Sequence, residues 1–326
     1  MYRNIMVPTD GSGFDREAIL VALRIAERCE AKIRLVRVLE TGAFLGMAGS
    51  VETGIAPVEV VKVQQDNAFS ELYALAAECR NISTADITVD LELGPTADVL
   101  EGYAKRNEID LIVISSHGRR GIARLSLGSI TDSLIRDTTI PVLVVKPRAS
   151  YLKPEATKEF RHIMVPLDGS TLAEQILSRV VPLAKLEEAT ITLLHVLTHE
   201  KDDYRSEENA ELPWWEKRVT GAKSYLARRA AEIRRAGVPA GFDVVLGDKV
   251  PEAIADFSRR EGADLIAIAT HGRGGLARVL RGSVADALTK SAMSSILVFH
   301  PESVAERKAP RRSDVMKNQT PAPVAG

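Results

Sequence analysis

Short aliphatic runs bounded by polar or turn-forming residues recur along this chain, and between them apolar residues return every three or four positions. In the amino-terminal part the runs predict strands near Asn4–Thr9, Ile33–Leu39, Ile87–Leu93, Leu111–Ser115 and Val142–Lys146. Helical spacing falls between them, over Asp15–Cys29, Val58–Cys79, Pro95–Arg106 and Ser129–Arg136. The carboxy-terminal part repeats the alternation, with strands near His162–Leu167, Thr190–Val196, Phe242–Leu246, Leu265–Ala269 and Ser295–Phe299. Strands alternating with helices imply parallel pairing through right-handed crossovers. The fold class is α/β: two tandem doubly wound domains, each a five-stranded parallel sheet flanked by helices.

The pattern repeats in residues as well as in period. NIMVPTDGS from Asn4 returns as HIMVPLDGS from His162, and DLIVISSHGRRGIARLSLGS from Asp110 returns as DLIAIATHGRGGLARVLRGS from Asp264, neither needing a gap. One domain has been duplicated, with expected limits of 1–147 and 159–301. Residues 148–158 lie in a proline-containing charged stretch without apolar period and read as a linker. The tail, 302–326, is polar and proline-containing and reads as disordered, its basic cluster Arg307, Lys308, Arg311 and Arg312 solvated or in contact with a partner.

Composition narrows the function classes. The 326 residues are 45% hydrophobic, enough for two cores, and 43 basic side chains nearly balance 44 acidic ones. That balance gives no electrostatic argument for a nucleic-acid partner or an anionic membrane. No apolar run reaches the roughly 18 residues of a membrane span, and the amino terminus lacks a signal-peptide pattern, so the expected location is cytoplasmic. Cys29 and Cys79 fall in helical segments without metal spacing and read as buried packing residues.

The candidate chemistry lies where the first and fourth strands of each half end. SSHGRRGIARLSLGS, residues 115–129, leaves the fourth strand and opens the next helix at Gly128 and Ser129; its counterpart closes at Gly282 and Ser283. Ligands of open parallel sheets bind beyond the carboxyl ends of strands where the strand order reverses. The first strand ends at Asp10 or Asp168, and both motifs meet one ligand only if strands one and four are neighbours, as in the order 3-2-1-4-5. Glycines admit a bulky anion to the backbone, and free amides at a helix amino terminus donate to it. Ser129 and Ser283 add hydroxyls; Arg119, Arg120 and Arg124, with Arg273, Arg278 and Arg281, add charge. Phosphate is the group this chemistry favours.

Plainer uses exist for each part: Gly118 and Gly272 as turn glycines, Ser129 and Ser283 as helix caps, His117 and His271 as backbone-bonded strand ends, the arginines as solvated surface, and Asp10 and Asp168 as caps of the next helix. Recurrence of the whole constellation favours a ligand, whose ribose hydroxyl or base would donate to Asp10 or Asp168. Trp214 and Trp215 suit helix packing first, then partner contact, then adenine stacking.

MVPTDGS and MVPLDGS, with SSHG and ATHG followed by Gly128–Ser129 and Gly282–Ser283, resemble the universal stress protein family in its tandem form. The resemblance implies ATP at two similar sites, with magnesium arriving on the nucleotide rather than at a dedicated carboxylate cluster. It implies that Asp10 and Asp168 meet adenosine beside Pro8 and Pro166, and that Val38 and Val196 lie against adenine. His117, Gly118, Arg119, Gly121, Gly128 and Ser129 would surround the phosphates in the first half; His271, Gly272, Arg273, Gly275, Gly282 and Ser283 would do so in the second. The family pattern begins with a glycine, which is Ser115 in one half and Ala269 in the other. If that position needs positive φ, a side chain costs on the order of 1–2 kcal/mol; if it needs only a small residue, little changes. Ser115 retains a hydroxyl, and the second loop carries Gly274 in place of Arg120, with more freedom to lose, so the first half is expected to bind more tightly.

The chain has no GxxxxGK[ST] and no GxSxG. The expected function is therefore an ATP-binding stress-response or regulatory protein acting through ligand-dependent conformation or an unknown protein partner. The alternatives are an interaction scaffold with empty or non-ATP sites, and a slow ATP hydrolase. The fifth strands, IPVLVVKP and SSILVFHP, are apolar edges that invite pairing. Joined by a short linker at an effective concentration on the order of millimolar, the two halves are expected to pair there, with Val142, Val144, Ile296 and Val298 at the seam and a homodimer of whole chains as a further expectation.

Overall fold

A computed structural model describes residues 2–40, 57–116, 127–146, 159–198, 214–270 and 283–301. The first half contains β1 (Asn4–Pro8), α1 (Arg16–Cys29), β2 (Lys32–Leu39), α2 (Pro57–Ile82), β3 (Asp86–Leu93), α3 (Thr96–Arg106), β4 (Leu111–Ser115), α4 (Ser129–Asp137) and β5 (Val142–Val145). The second contains β6 (His162–Pro166), α5 (Thr171–Glu174), α6 (Leu177–Glu187), β7 (Thr190–Leu197), α7 (Trp214–Arg235), β8 (Ala240–Leu246), α8 (Val250–Arg260), β9 (Leu265–Ala269), α9 (Ser283–Ser291) and β10 (Ser295–Phe299). The elements follow the expected alternation, except that the helix after β6 is in two pieces. Ser170 caps the short piece by accepting from the Ala173 amide, and the longer piece carries Pro182 in its interior.

All ten strands form one sheet in the order β3-β2-β1-β4-β5-β10-β9-β6-β7-β8. The first half thus has the expected order 3-2-1-4-5, and the second half mirrors it. Within each half the pairing is parallel; across the seam β5 and β10 are antiparallel, with Val144 opposite Ile296, Leu143 opposite Leu297 and Val142 opposite Val298. The expected pairing through the fifth strands is therefore present, with the four named residues in the ladder. Burial explains why it forms: β5 and β10 are buried along their whole length, so neither edge is left to water.

Alternating side chains send the strands into two cores. Ile33, Leu35 and Leu143 pack with α1, α2, α6 and α7 through Ile25, Leu72, Leu183 and Leu226. Val36, Val142 and Val144 pack on the other face with α3, α4, α8 and α9 through Leu100, Leu134, Phe257 and Leu288. Each core runs through both halves without a break.

The repeated aspartates Asp110 and Asp264 stand at the opposite end of the sheet from the candidate site. Asp110 accepts from the amides of Arg3 and Asn4 at 2.7 and 3.3 Å, and Asp264 from those of Arg161 and His162 at 3.0 Å each. They fix the start of the first strand of each half against the fourth. Burial raises the Asp110 carboxyl above its ordinary range.

Candidate site at the strand-order switch

β1 lies between β2 and β4, and β6 between β7 and β9, so each half has its crossover point where the sequence motifs fall. Pro8 is opposite Val36 of β2, and Met6 is opposite Ile112 of β4. Continuing those registers brings the chain at Asp10, Val38 near the end of β2, and Ser115 at the end of β4 to one end of the sheet. Pro8, Asp10, Val38 and Ser115 are all partly buried there, as are Pro166, Val196 and Ala269 in the second half, while Asp168 is exposed. Val38 and Val196 pack against the core shared with α4 and α9, the face on which those helices lie.

The DGS motif is a local turn. Asp10 Oδ1 accepts from the Ser12 amide at 2.8 Å, Asp168 Oδ1 from the Ser170 amide at 2.9 Å, and the glycines between them take φ of 72° and 87°. That conformation is the reason for glycine at 11 and 169. Neither aspartate caps the following helix: the N-cap of α1 is Asp15, bonded to Thr9, and that of α5 is Ser170.

The fourth-strand loop is closed at its base. Ser116 N–H donates to the Val145 carbonyl at 3.1 Å, Gly128 N–H donates to the Ser116 carbonyl at 3.1 Å, and Thr131 Oγ1 donates to the Ser115 carbonyl at 3.1 Å. Departure and return are thus held side by side, with α4 starting at the point of return. The N-cap of α4 is Gly128, not Ser129, and a glycine brings no side chain to the cap. Ser129 is the exposed first residue of α4, and Ser283 opens α9. Amides of the first turn have no partner within a helix, so an uncapped start presents donors. Asp132 in this turn is ion-paired with Arg136.

Gly128 has φ −61° and ψ 142°, ordinary extended backbone. A Cβ there would meet Thr131 Oγ1 at 3.7 Å and the Ser116 carbonyl at 3.8 Å, no closer than normal contact. Among the described residues neither backbone nor packing requires glycine at 128. Gly247 is the contrasting case, because its Cβ would come within 2.9 Å of Ala253 Cβ and 3.7 Å of Val196 Cγ1. Sequence reasoning missed Gly247 and its counterpart Gly94, which turn the chain after the third strands; the recurrence of Leu-Gly at 93–94 and 246–247 was the available signal.

Ser115 and Ala269 close β4 and β9, and the non-glycine residues with positive φ among the described residues are Glu30, Glu108 and Glu188. The position where the family pattern has its first glycine is thus not left-handed in either half, and the side chains of Ser115 and Ala269 meet no positive-φ penalty there. His117, Gly118, Arg119, Gly121, His271, Gly272, Arg273, Gly275 and Gly282 lie outside the described residues, as do the remaining loop arginines. Among the described residues no three His, Cys, Asp or Glu side chains stand together as a metal site, and no helix is long and apolar enough to cross a membrane.

A cavity of about 550 Å³ opens elsewhere, between α1 and α2 on the other face of the sheet, lined by Thr9, Asp15, Ile19, Arg37, Glu71 and Leu75 among others. Arg37 is buried and paired with Glu71. In the second half α7 places Arg229 and Tyr225 on Glu174 of α5, at 2.8 to 2.9 Å.

The sequence matches the universal stress protein family twice, over residues 1–146 and 159–300. A universal stress protein of Mycolicibacterium smegmatis is 25% identical over 304 residues, covering 91% of this chain and 97% of that protein. One from Methanocaldococcus jannaschii is 29% identical over 146 residues, covering 45% of this chain and 83% of the relative. Among solved structures, a universal stress protein of Archaeoglobus fulgidus superimposes with a TM-score of 0.66 at 16% identity, covering 91% of this chain and 98% of that one.

Proposed function

Since the chain belongs to the universal stress protein family, built twice over on one sheet, we propose that it is a stress-response protein that binds ATP at two similar sites, one at each strand-order switch, and acts through ligand-dependent conformation or partner binding. The observation that carries the reading is Gly128: a glycine that backbone and packing among the described residues do not need, at the N-cap of α4, leaves room for a group outside the protein. Phosphate fits that position, because first-turn amides and the helix dipole favour an anion. Gly128, Ser129 and the amides that follow would hold phosphates in the first half, with Gly282 and Ser283 in the second.

Asp10 and Asp168, set by their turns at the ends of β1 and β6, would accept from the nucleoside, with Val38 and Val196 against the base. Pro8, Ser115, Pro166 and Ala269 complete the strand-end walls, and the loop residues His117, Gly118, Arg119, Gly121, His271, Gly272, Arg273 and Gly275 the phosphate end. Magnesium, when present, would come bound to the phosphates and neutralise their charge. The chain's own part is binding and positioning, in the cytoplasm, with no nucleophile or base assigned to hydrolysis.

Calorimetry of the nucleotide-free chain with ATP tests this. Two sites are expected, with Asp10→Ala and Asp168→Ala each weakening its own. Absence of heat at millimolar ATP would favour a scaffold, and rapid phosphate release would favour a hydrolase.

A further inference from the structure

The residue that follows the fifth strand in each half crosses the seam. Lys146, after β5, donates its ammonium to the Thr289 carbonyl in the last turn of α9. His300, after β10, places Nε2 on the Ile135 carbonyl in the last turn of α4. The two contacts are images of each other under the duplication: Lys146 corresponds to His300 in VLVVKP and ILVFHP, and Ile135 to Thr289 seven residues into helices that both begin at Gly-Ser. Both side chains are buried. Last-turn carbonyls have no partner within the helix, and donors are favoured at that end of the dipole.

Each crossing residue is also one peptide away from its own half's loop. The Val145 carbonyl accepts from Ser116 N–H at 3.1 Å, and the Phe299 carbonyl accepts from Thr270 N–H at 2.9 Å, at the bases of the two loops. A short path therefore runs from the loop base of one half, through its strand end and crossing side chain, to the helix of the other half whose first turn faces that half's ligand. The reverse path exists as well.

We propose that this reciprocal clasp, Lys146 on α9 and His300 on α4, couples the two nucleotide sites, so that filling one favours filling the other. The proposal rests on the nucleotide reading above. A nucleotide held at the strand ends and at the start of α4 bears on the base formed by Ser116 and Val145, and through Lys146 holds the last turn of α9. The second nucleotide then meets a helix already held, and less ordering remains to oppose its binding.

The test is calorimetric titration of the full-length, nucleotide-free chain with ATP, with Asp10→Ala and Asp168→Ala chains reporting each site alone. In the intact chain, the second ATP is expected to bind about fivefold or more tightly than its site does in the single-site chain. In a Lys146→Met, His300→Phe chain that remains folded, the excess is lost. Hydrogen exchange gives a readout that needs no clasp variant: ATP on the first site of the Asp168→Ala chain is expected to slow exchange in α9. ATP bound at independent sites, coupling that survives removal of the clasp, or unchanged exchange in α9 overturns the clasp and leaves the nucleotide reading standing. No ATP binding by the intact chain overturns both.

Discussion

Glu187 at the end of α6 is paired with Arg24 of α1, a contact between the two halves in which the glutamate is wholly buried and the arginine nearly so. Arg28 lies 3.7 Å from the same carboxylate oxygen, the Phe160 amide donates to it at 3.5 Å, and the Arg24 guanidinium sits 5.5 Å above the Phe160 ring. Burial and the neighbouring Arg28 lower Arg24 to about 10, still charged at neutral pH. The pair therefore locks α1 to α6 as an ion pair taken out of water.

Removing one partner leaves the other charge buried. Glu187→Ala is expected to cost about 3–5 kcal/mol in denaturant unfolding. Arg24→Met with Glu187→Leu is expected to recover most of that, because two apolar side chains leave nothing uncompensated. A double variant as unstable as Glu187→Ala would show that packing, not charge, governs this contact.

Gly128→Ala separates ligand from fold. The new Cβ has 3.7 Å of room and an ordinary φ, so stability should change by no more than about 1 kcal/mol, the scale of a lost helix cap. On the nucleotide reading, ATP affinity at the first site should fall tenfold or more, because the methyl would occupy the space proposed for a phosphate. Calorimetry beside thermal unfolding reads both quantities; unchanged affinity would remove the observation on which the nucleotide reading chiefly stands.

Lys146 gives a pH signature. Burial lowers its ammonium from 10.5 to about 8 in the folded chain. Between those values the unfolded chain holds the extra proton, so this group adds stability as pH rises from about 8 to 10.5, and that stability is lost as pH falls back through 8. The gain has an upper bound on the order of 3 kcal/mol. Buried tyrosines such as Tyr2 and Tyr103, whose hydroxyls are raised, titrate higher and act oppositely. The quantity to measure is therefore the difference between the parent and Lys146→Met, which should grow in the parent's favour across the window; parallel pH curves would refute the assignment.

What the sequence disclosed follows from what duplication and period can carry. The two copies of MVPxDGS and the loop motif marked which strands must be neighbours, and the aliphatic fifth strands marked the seam. The same logic could not sort Asp110 and Asp264 from Asp10 and Asp168, because a repeated residue serves the fold as readily as a site. Glu187 reads in sequence as one more charge on an amphipathic helix, and only the packing of α1 on α6 buries it. Lys146 and His300 meet carbonyls, which have no sequence identity, and so left no trace beyond their shared place after the fifth strand. Gly128 is the reverse case: its identity was plain, but its freedom from steric demand among the described residues became visible only with φ, ψ and neighbours in hand.

The seam should be the place where the halves part. Val144 and Ile296, and Val142 and Val298, are paired across β5 and β10 and fully buried. A carboxylate at Val144 and another at Val298 would put two like charges into that ladder without a partner, a cost of several kcal/mol for each buried ion. Each half keeps its own four other strands and helices on both faces. Val144→Asp with Val298→Asp is therefore expected to open the pair while leaving much of each half's secondary structure, seen as a larger radius of gyration in small-angle scattering with helical dichroism retained. Bound hydrophobic dye should rise as β5 and β10 become edges. The variant staying as compact as the parent, and folded, would mean that contacts outside the strand ladder, such as α1 on α6 and the Lys146 and His300 crossings, hold the two halves together.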